Sequence, residues 1–387
     1  MAAAPPTSSS PTTLTEGVQQ PHPLKGIVSS NDDPTRCARC SIFIQDLNDV
    51  IVSFCCGRGI CESCDDAEDE LKHCPQCNSP FGKTPKEKIA CLKKHSKKGH
   101  PWAQERLAVL YCAGNGVRES RSEALHWNLQ AAKRGHPIAM EIIGSCFLLG
   151  VFECPVDLHQ AQKYFEAGLK ASKPSFTACY ESCQTGLVEV AERHCAAKAF
   201  EKARTILLPL AEEGVGNAQK ALGDAIIRAA RQNALSSALF WYASAAFALE
   251  GGGAALGNAE SMSMVCCEGL RKYAQAKFWA RSVKTTLRHP KISGEARIAR
   301  VQELVNLQRE LRSLRDVCGG CGAEFEGKER KFCRACRAYC YCSRECQKMH
   351  WNRKESGHRE DCKGASELKQ KVKEKKKTGA ITASGHK

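Results

Sequence analysis

Long hydrophobic runs are missing from this 387-residue chain. The most apolar stretch, Ala234 to Leu249 (ALSSALFWYASAAFAL), is short for a bilayer span and carries three serines, so a buried helix is expected there and no membrane partner. The start, MAAAPPTSSSPTTLTEG, has neither a basic n-region nor an apolar h-region and does not read as a secretory leader. No P-loop, no G-x-S-x-G and no H-E-x-x-H occurs, so the common nucleotide, serine-hydrolase and metalloprotease sites are not expected. Acidic residues are also in deficit, 42 against 57 Lys and Arg, for a formal charge of +15. Much of the excess sits between Lys83 and Lys98 and in the tail from Lys363, where KQKVKEKKK is almost pure lysine. No recognition module with interleaved aromatics accompanies these runs, so they read as a solvated linker and tail, and nucleic acid is not an expected partner.

Cysteine is abundant instead, at 25 residues. With no leader, disulfides are not expected, and paired cysteines in a reducing compartment point to metal and to a cytoplasmic and/or nuclear location. Fifteen of them fall in two clusters. The first is Cys37-x2-Cys40, then Cys55, Cys56, Cys61 and Cys64, then Cys74-Pro75-Gln76-Cys77. The second is Cys318-x2-Cys321, Cys333-x2-Cys336, Cys342-x3-Cys346 and His358-x3-Cys362. A two-residue gap turns neighbouring sulfurs onto one tetrahedral ion, and four such groups in a row suffice for two ions. Sixteen ligands therefore imply four structural zinc ions, two per cluster. The ten remaining cysteines stand mostly at apolar helical positions and read as small buried hydrophobes.

Between the clusters the chain repeats itself. Ala followed three residues on by a large side chain recurs at Ala124/Trp127, Ala161/Tyr164, Ala203/Ile206, Ala238/Trp241 and Ala276/Trp279, with anchors 37, 42, 35 and 38 residues apart. Small or apolar residues follow four and five positions later. The first two copies also align upstream at a spacing of 36: Ala103 with Ala139, Leu107 with Ile143, Ala108 with Gly144, Tyr111 with Phe147, Gly114 with Gly150. Each unit reads as two short helices crossing at small residues. One unit cannot bury its own apolar face, so units stack into a solenoid. The anchor side chains are expected in the core, and Ala296 to Leu314 as an amphipathic capping helix.

The segment Tyr111 to Val117 (YCAGNGV), with its downstream A-x-x-W, resembles the Sel-one-like repeat, a relative of the tetratricopeptide repeat. The first cluster, with Cys56-Gly57-x-x-Ile60-Cys61 and Cys74-Pro75-Gln76-Cys77-x-x-Pro80, resembles a RING finger. The resemblance implies a cross-brace: Cys37, Cys40, Cys61 and Cys64 on one ion, Cys55, Cys56, Cys74 and Cys77 on the other. The family's histidine is absent, and His73 stands as an alternative to Cys55 or Cys56. The second cluster, with Tyr339-Cys-Tyr-Cys342-Ser-Arg-Glu-Cys346-Gln and Trp351, resembles a MYND finger. That implies Cys318, Cys321, Cys342 and Cys346 on one ion and Cys333, Cys336, His358 and Cys362 on the other, with His350 competing for a place.

The expected fold is mainly α: an α-solenoid of helix-hairpin repeats flanked by two small cross-brace zinc-binding domains. Its parts are a disordered segment 1–33, a RING-like finger 34–81, a basic linker 82–98, repeats 99–292, a connecting helix 293–317, a MYND-type finger 318–362 and a disordered basic tail 363–387. The resemblances imply an adaptor that holds other proteins, with short proline-containing peptides as MYND ligands. The alternative is a RING-type ubiquitin ligase that docks a ubiquitin-conjugating enzyme. Pro75 and Ile42 suit that surface, whereas Arg39 and Asn78 depart from it. A MYND-bearing lysine methyltransferase would need a catalytic fold around the finger, and helical repeats stand there instead.

Overall fold

In a computed structural model the described residues are 51–52, 59–60, 73, 84–172, 177–229, 234–249, 254–287, 294–319, 321–325, 330–353 and 358–384. They form two compact units, 1–190 and 191–387. The expected disordered segment 1–33 lies outside them. So does nearly all of the RING-like module, apart from His73 and a short antiparallel ladder of β1 (Ile51–Val52) on β2 (Gly59–Ile60).

In the first unit, α1 (Pro85–Lys97) precedes α2 (Pro101–Ala113), α3 (Arg121–Lys133), α4 (Pro137–Leu149) and α5 (Leu158–Ser172), and consecutive helices pack as hairpins. α6 (Thr177–Ala196) runs across the unit boundary. The 36-residue alignment holds in three dimensions. Ala103, Ala139, Leu107, Ile143 and Ala108 are fully buried, and Gly114 and Gly150 both end their helices at φ +69°. Gly144 lets the Phe165 ring lie against α4: a Cβ there would meet the ring at 2.9 Å.

The basic linker expected at 82–98 is a helix. Thr84 and Glu87 close a capping box around Pro85, and Ile89, Leu92 and Ser96 turn inward while the lysines stay in water. Lysine composition hid a helical period carried by only three residues. Gly99 ends α1 at φ +87°, and Gly135 and Gly214 reach +88° and +93° at the matching places, a left-handed backbone that favours glycine. The following residues His100, His136 and Val215 cap the next helices with nearly identical extended dihedrals. The hairpin series therefore includes α1, one helix earlier than the boundary at 99.

The second unit continues with α7 (Phe200–Glu212), α8 (Gly216–Arg228), α9 (Ala234–Ala248), α10 (Ala254–Gly269), α11 (Tyr273–Thr286) and α12 (Gly294–Asp316). Neighbours again pack pairwise, around a core of Tyr242, Met264, Trp279, Val283 and Leu307. A side-chain bond repeats across the units: Gln104 Nε2 donates to Ser96 O at 3.1 Å and Gln219 Nε2 to Ala211 O at 3.0 Å, each eight residues back. The fold is mainly α, an α-solenoid of helix hairpins with a cysteine-rich module at its C-terminal end. Among the described residues no helix is long and apolar enough to cross a membrane; α9, expected to be buried, sets one face (Ala238, Leu239, Tyr242, Ala245) in the core and leaves Phe240 exposed on the other.

That module consists of β3 (Lys331–Phe332), paired antiparallel with β4 (Cys340–Tyr341), then α13 (Arg344–Asn352) and α14 (His358–Ser384). The tail expected to be disordered from 363 is the continuation of α14. Leu368 packs against the core of the second unit, the Lys371 ammonium lies over the Phe247 ring, and Lys375 Nζ donates to Phe247 O at 2.5 Å. Lys375 thus reaches the C-terminal carbonyls of α9, where the helix dipole favours a cation.

Candidate metal centre

The first two cysteine pairs in the C-terminal module are presented by turns that backbone hydrogen bonds fix, and the remaining donors by helix starts. Cys318 and Cys321 lie in a turn closed by the Val317–Glu324 bridge, with Cys318 N–H bonded to Ala323 O and Gly322 N–H to Cys318 O, both 2.8 Å. Cys333 and Cys336 follow β3, where Arg337 N–H returns to Cys333 O at 2.9 Å and Arg337 sits at φ +53°. Cys342 leaves β4, and Ser343 caps α13 by accepting the Cys346 N–H at 3.1 Å. His358 and Cys362 stand one turn apart in α14.

These turns bring eight residues into two groups. Cys318, Cys321, Cys342 and Cys346 form one, and Cys333, Cys336, His358 and Cys362 the other, with the donor atoms in each within 4.8 Å of one another. The groups interleave along the chain, so each ties together segments the other also ties. A tetrahedral metal with bonds of about 2.3 Å to sulfur sets sulfurs about 3.8 Å apart. Cys321 and Cys342 are separated by 3.8 Å, Cys342 and Cys346 by 3.4 Å, Cys333 and Cys362 by 3.9 Å. Cys336 Sγ lies 3.2 Å from His358 Nε2. Both groups fit a tetrahedral ion, and each supplies all four donors.

Protonation agrees with that requirement. The hydrogen bond from Cys336 holds Cys333 down to about 3, and the same bond pushes Cys336 well up, aided by burial. Burial, with the charge on Cys333, raises Cys362 to about 11. The protein alone thus favours one thiolate and protonated neighbours, whereas a divalent cation reverses the balance and displaces the protons.

His350 is outside both groups. Its Nδ1 lies 3.0 Å from the Tyr341 hydroxyl, which also lies 2.8 Å from His358 Nδ1. Tyr341 is fully buried and engages the ring nitrogen of His358 that faces away from Cys336, leaving Nε2 for the donor set. Cys340 is likewise outside them, with its thiol against Leu314 O and Val317 O.

Two further residues hold the module against the helices. Asp361 accepts from Ala274 N–H at 2.7 Å and Gln275 N–H at 3.0 Å, capping the first turn of α11. The Tyr339 hydroxyl sits 2.8 Å from Asp361 Oδ2 and 3.1 Å from Arg271 O. Sequence reading had no signal for Asp361 beyond its place beside Cys362, because its partners are 87 and 86 residues away. Tyr339 and Tyr341 were visible only as part of the MYND-like string.

The N-terminal candidates Cys37, Cys40, Cys55, Cys56, Cys61, Cys64, Cys74 and Cys77 lie outside the described residues, while His73 is described and exposed. Of the ten cysteines outside the clusters, eight are buried; Cys91 is half-buried and Cys112 exposed.

No family model matches the chain, and no curated protein matches it. Among solved structures it is similar to a Sel1 repeat protein from Oxalobacter formigenes, at 17% identity and a TM-score of 0.37 over 53% of this chain and 81% of that one. It is also similar to a protective antigen of uropathogenic Escherichia coli strains displaying an SLR fold, at 14% identity and a TM-score of 0.23 over 77% and 80%.

Proposed function

We propose that the chain is a zinc-stapled adaptor of cytoplasmic and/or nuclear compartments, whose Sel-one-like repeats and MYND-type finger hold other proteins. The observation that carries this reading is the pair of interleaved four-donor groups. A set that fills all four positions of a tetrahedral ion leaves none for water or substrate, so the metal braces the fold rather than performing Lewis-acid chemistry. Sulfur with one imidazole suits zinc. The N-terminal cysteines extend the same reading to two more ions in a RING-like module.

Helix hairpins supply extended surfaces suited to protein partners. The finger, joined to them through Asp361 and Lys375, presents Phe332 and Met349 to solvent. The test is fluorescence anisotropy of short proline-containing peptides against the zinc-loaded full chain. Saturable binding that chelation abolishes is the expected result, and its absence across such a panel contradicts the peptide-binding role.

A further inference from the structure

The last helix before the finger has two apolar faces, and the core uses one. Arg300, Leu304, Leu307 and Leu311 of α12 are buried, with both Leu304 and Leu307 in the core of the second unit. Ile298, Val301 and Val305 turn the other way and are 71%, 47% and 43% exposed. At 3.6 residues per turn, Ile298, Val301, Val305, Arg309 and Arg312 follow one another at steps of three or four and share one stripe. Arg309 and Arg312 are exposed as well. The stripe is thus apolar in its first half and cationic in its second. The carboxylates of Glu303 and Glu310 lie round on another flank. Asp316, which returns to the stripe at its end, pairs with Arg330 at 3.4 Å.

A terminal helix that merely closes a solenoid needs a polar outer face. This one instead has three exposed β-branched side chains in a row, where a further helix can stack. A second copy is a poorer occupant: the stripe itself carries no carboxylate between Ile298 and Arg312, and antiparallel pairing about Glu303, which sets Val301 against Val305, leaves Arg309 and Arg312 against a helix start whose one acidic residue is Glu295. We propose that the α12 stripe is a docking surface for an amphipathic helix of another protein, with apolar residues at i, i+3, i+4 and i+7 beside a run of carboxylates. Such a partner lays its apolar ridge along Ile298, Val301 and Val305 and its carboxylates against Arg309 and Arg312. The surface is separate from the finger's peptide site, and it stands or falls independently of it.

The test uses the zinc-loaded full chain and a labelled synthetic helix of about five turns, with leucines at those spacings and glutamates beside them. Saturable binding is expected in anisotropy, weakening as salt rises. Ile298→Gln with Val301→Gln is expected to weaken it at least about tenfold. Arg309→Gln with Arg312→Gln is expected to weaken it and flatten its salt dependence. All four positions are exposed, so both variants should keep the far-UV helical signal. A probe with lysines in place of the glutamates should bind at least about tenfold more weakly than the parent. No saturable binding, equal binding of the lysine probe, or indifference to both variants overturns the proposal. So does a dimer in light scattering that Val301→Gln converts to monomer, because the occupant is then a second copy.

Discussion

The carboxylate of Asp361 accepts the backbone N–H of Ala274 at 2.7 Å, so a residue next to a candidate metal-donor cysteine caps the first turn of a repeat helix 87 positions earlier in sequence. The contact meets orphan amide donors with a charge that the helix N-terminus favours. Lys375 makes the opposite match at the C-terminal end of α9. The cysteine-rich module and its trailing helix are therefore part of the second unit's architecture.

Removing that cap should loosen the junction and leave the metal in place. Asp361→Ala is expected to lower unfolding stability by about 0.5–2 kcal/mol, the usual range for a lost N-cap. Hydrogen exchange at Ala274 and Gln275 should rise while zinc content stays constant. Unchanged exchange at those two amides would show that the cap contributes nothing.

How much of this was readable from sequence differs by feature. The five repeat alanines Ala124, Ala161, Ala203, Ala238 and Ala276 are all buried to 1% exposure or less, because only a small residue fits where helices cross. The large anchors were less faithful. Tyr164, Ile206 and Trp279 are buried, but Trp127 and Trp241 are half-buried, and Asn128 and Tyr242 one position later take the inward place. A helix can rotate by one residue about its small contact, and composition does not report that. Trp127 instead donates from Nε1 to Glu123, and Tyr242 bonds Asp224 at 2.6 Å. Cysteine spacing located the two C-terminal four-donor groups, whereas the lysine-rich helices α1 and α14 were hidden by their own charge.

The Phe165 contact should be intolerant of a single methyl. Gly144 in α4 and Gly186 in α6 approach the ring so closely that a Cβ at either meets it. Gly144→Ala is expected to destabilise the first unit by about 1–3 kcal/mol through overpacking, despite the better helix propensity of alanine. Thermal unfolding of the variant checks this, and a higher melting temperature would contradict it.

Acid should weaken the first unit through His136. Burial, with a smaller effect from Arg106, holds its pKa down to about 4 against an ordinary 6.5. A depressed histidine contributes stability in full above the unfolded value and loses it as pH falls from about 6.5 towards 4. The loss approaches about 3 kcal/mol at pH 4. His136→Gln is expected to flatten that part of the pH–stability curve. A curve of unchanged slope between pH 6.5 and 4 would contradict the assignment.

Tyr341 should matter to metal affinity without being a ligand. Its hydroxyl engages both His358 and His350, so Tyr341→Phe removes the partner that sets the orientation and tautomer of His358. Zinc affinity, measured by competition with a chromophoric chelator, is expected to fall by about 10–100-fold for that set. His350→Gln should cost less, since His350 stands one step further out. Equal affinity in Tyr341→Phe and the unaltered chain would show that the Tyr341 hydroxyl does not orient His358.

The most direct measurement is zinc per chain before and after both C-terminal donor groups are broken. With sixteen ligand-type residues in the sequence, the unaltered protein is expected to carry four ions. Replacing Cys321 and Cys342 of one group and Cys333 and Cys362 of the other by serine should lower the content by two. An unchanged zinc content in that variant, or recovery of these cysteines as disulfides from the unaltered chain, would contradict the two closed metal sets.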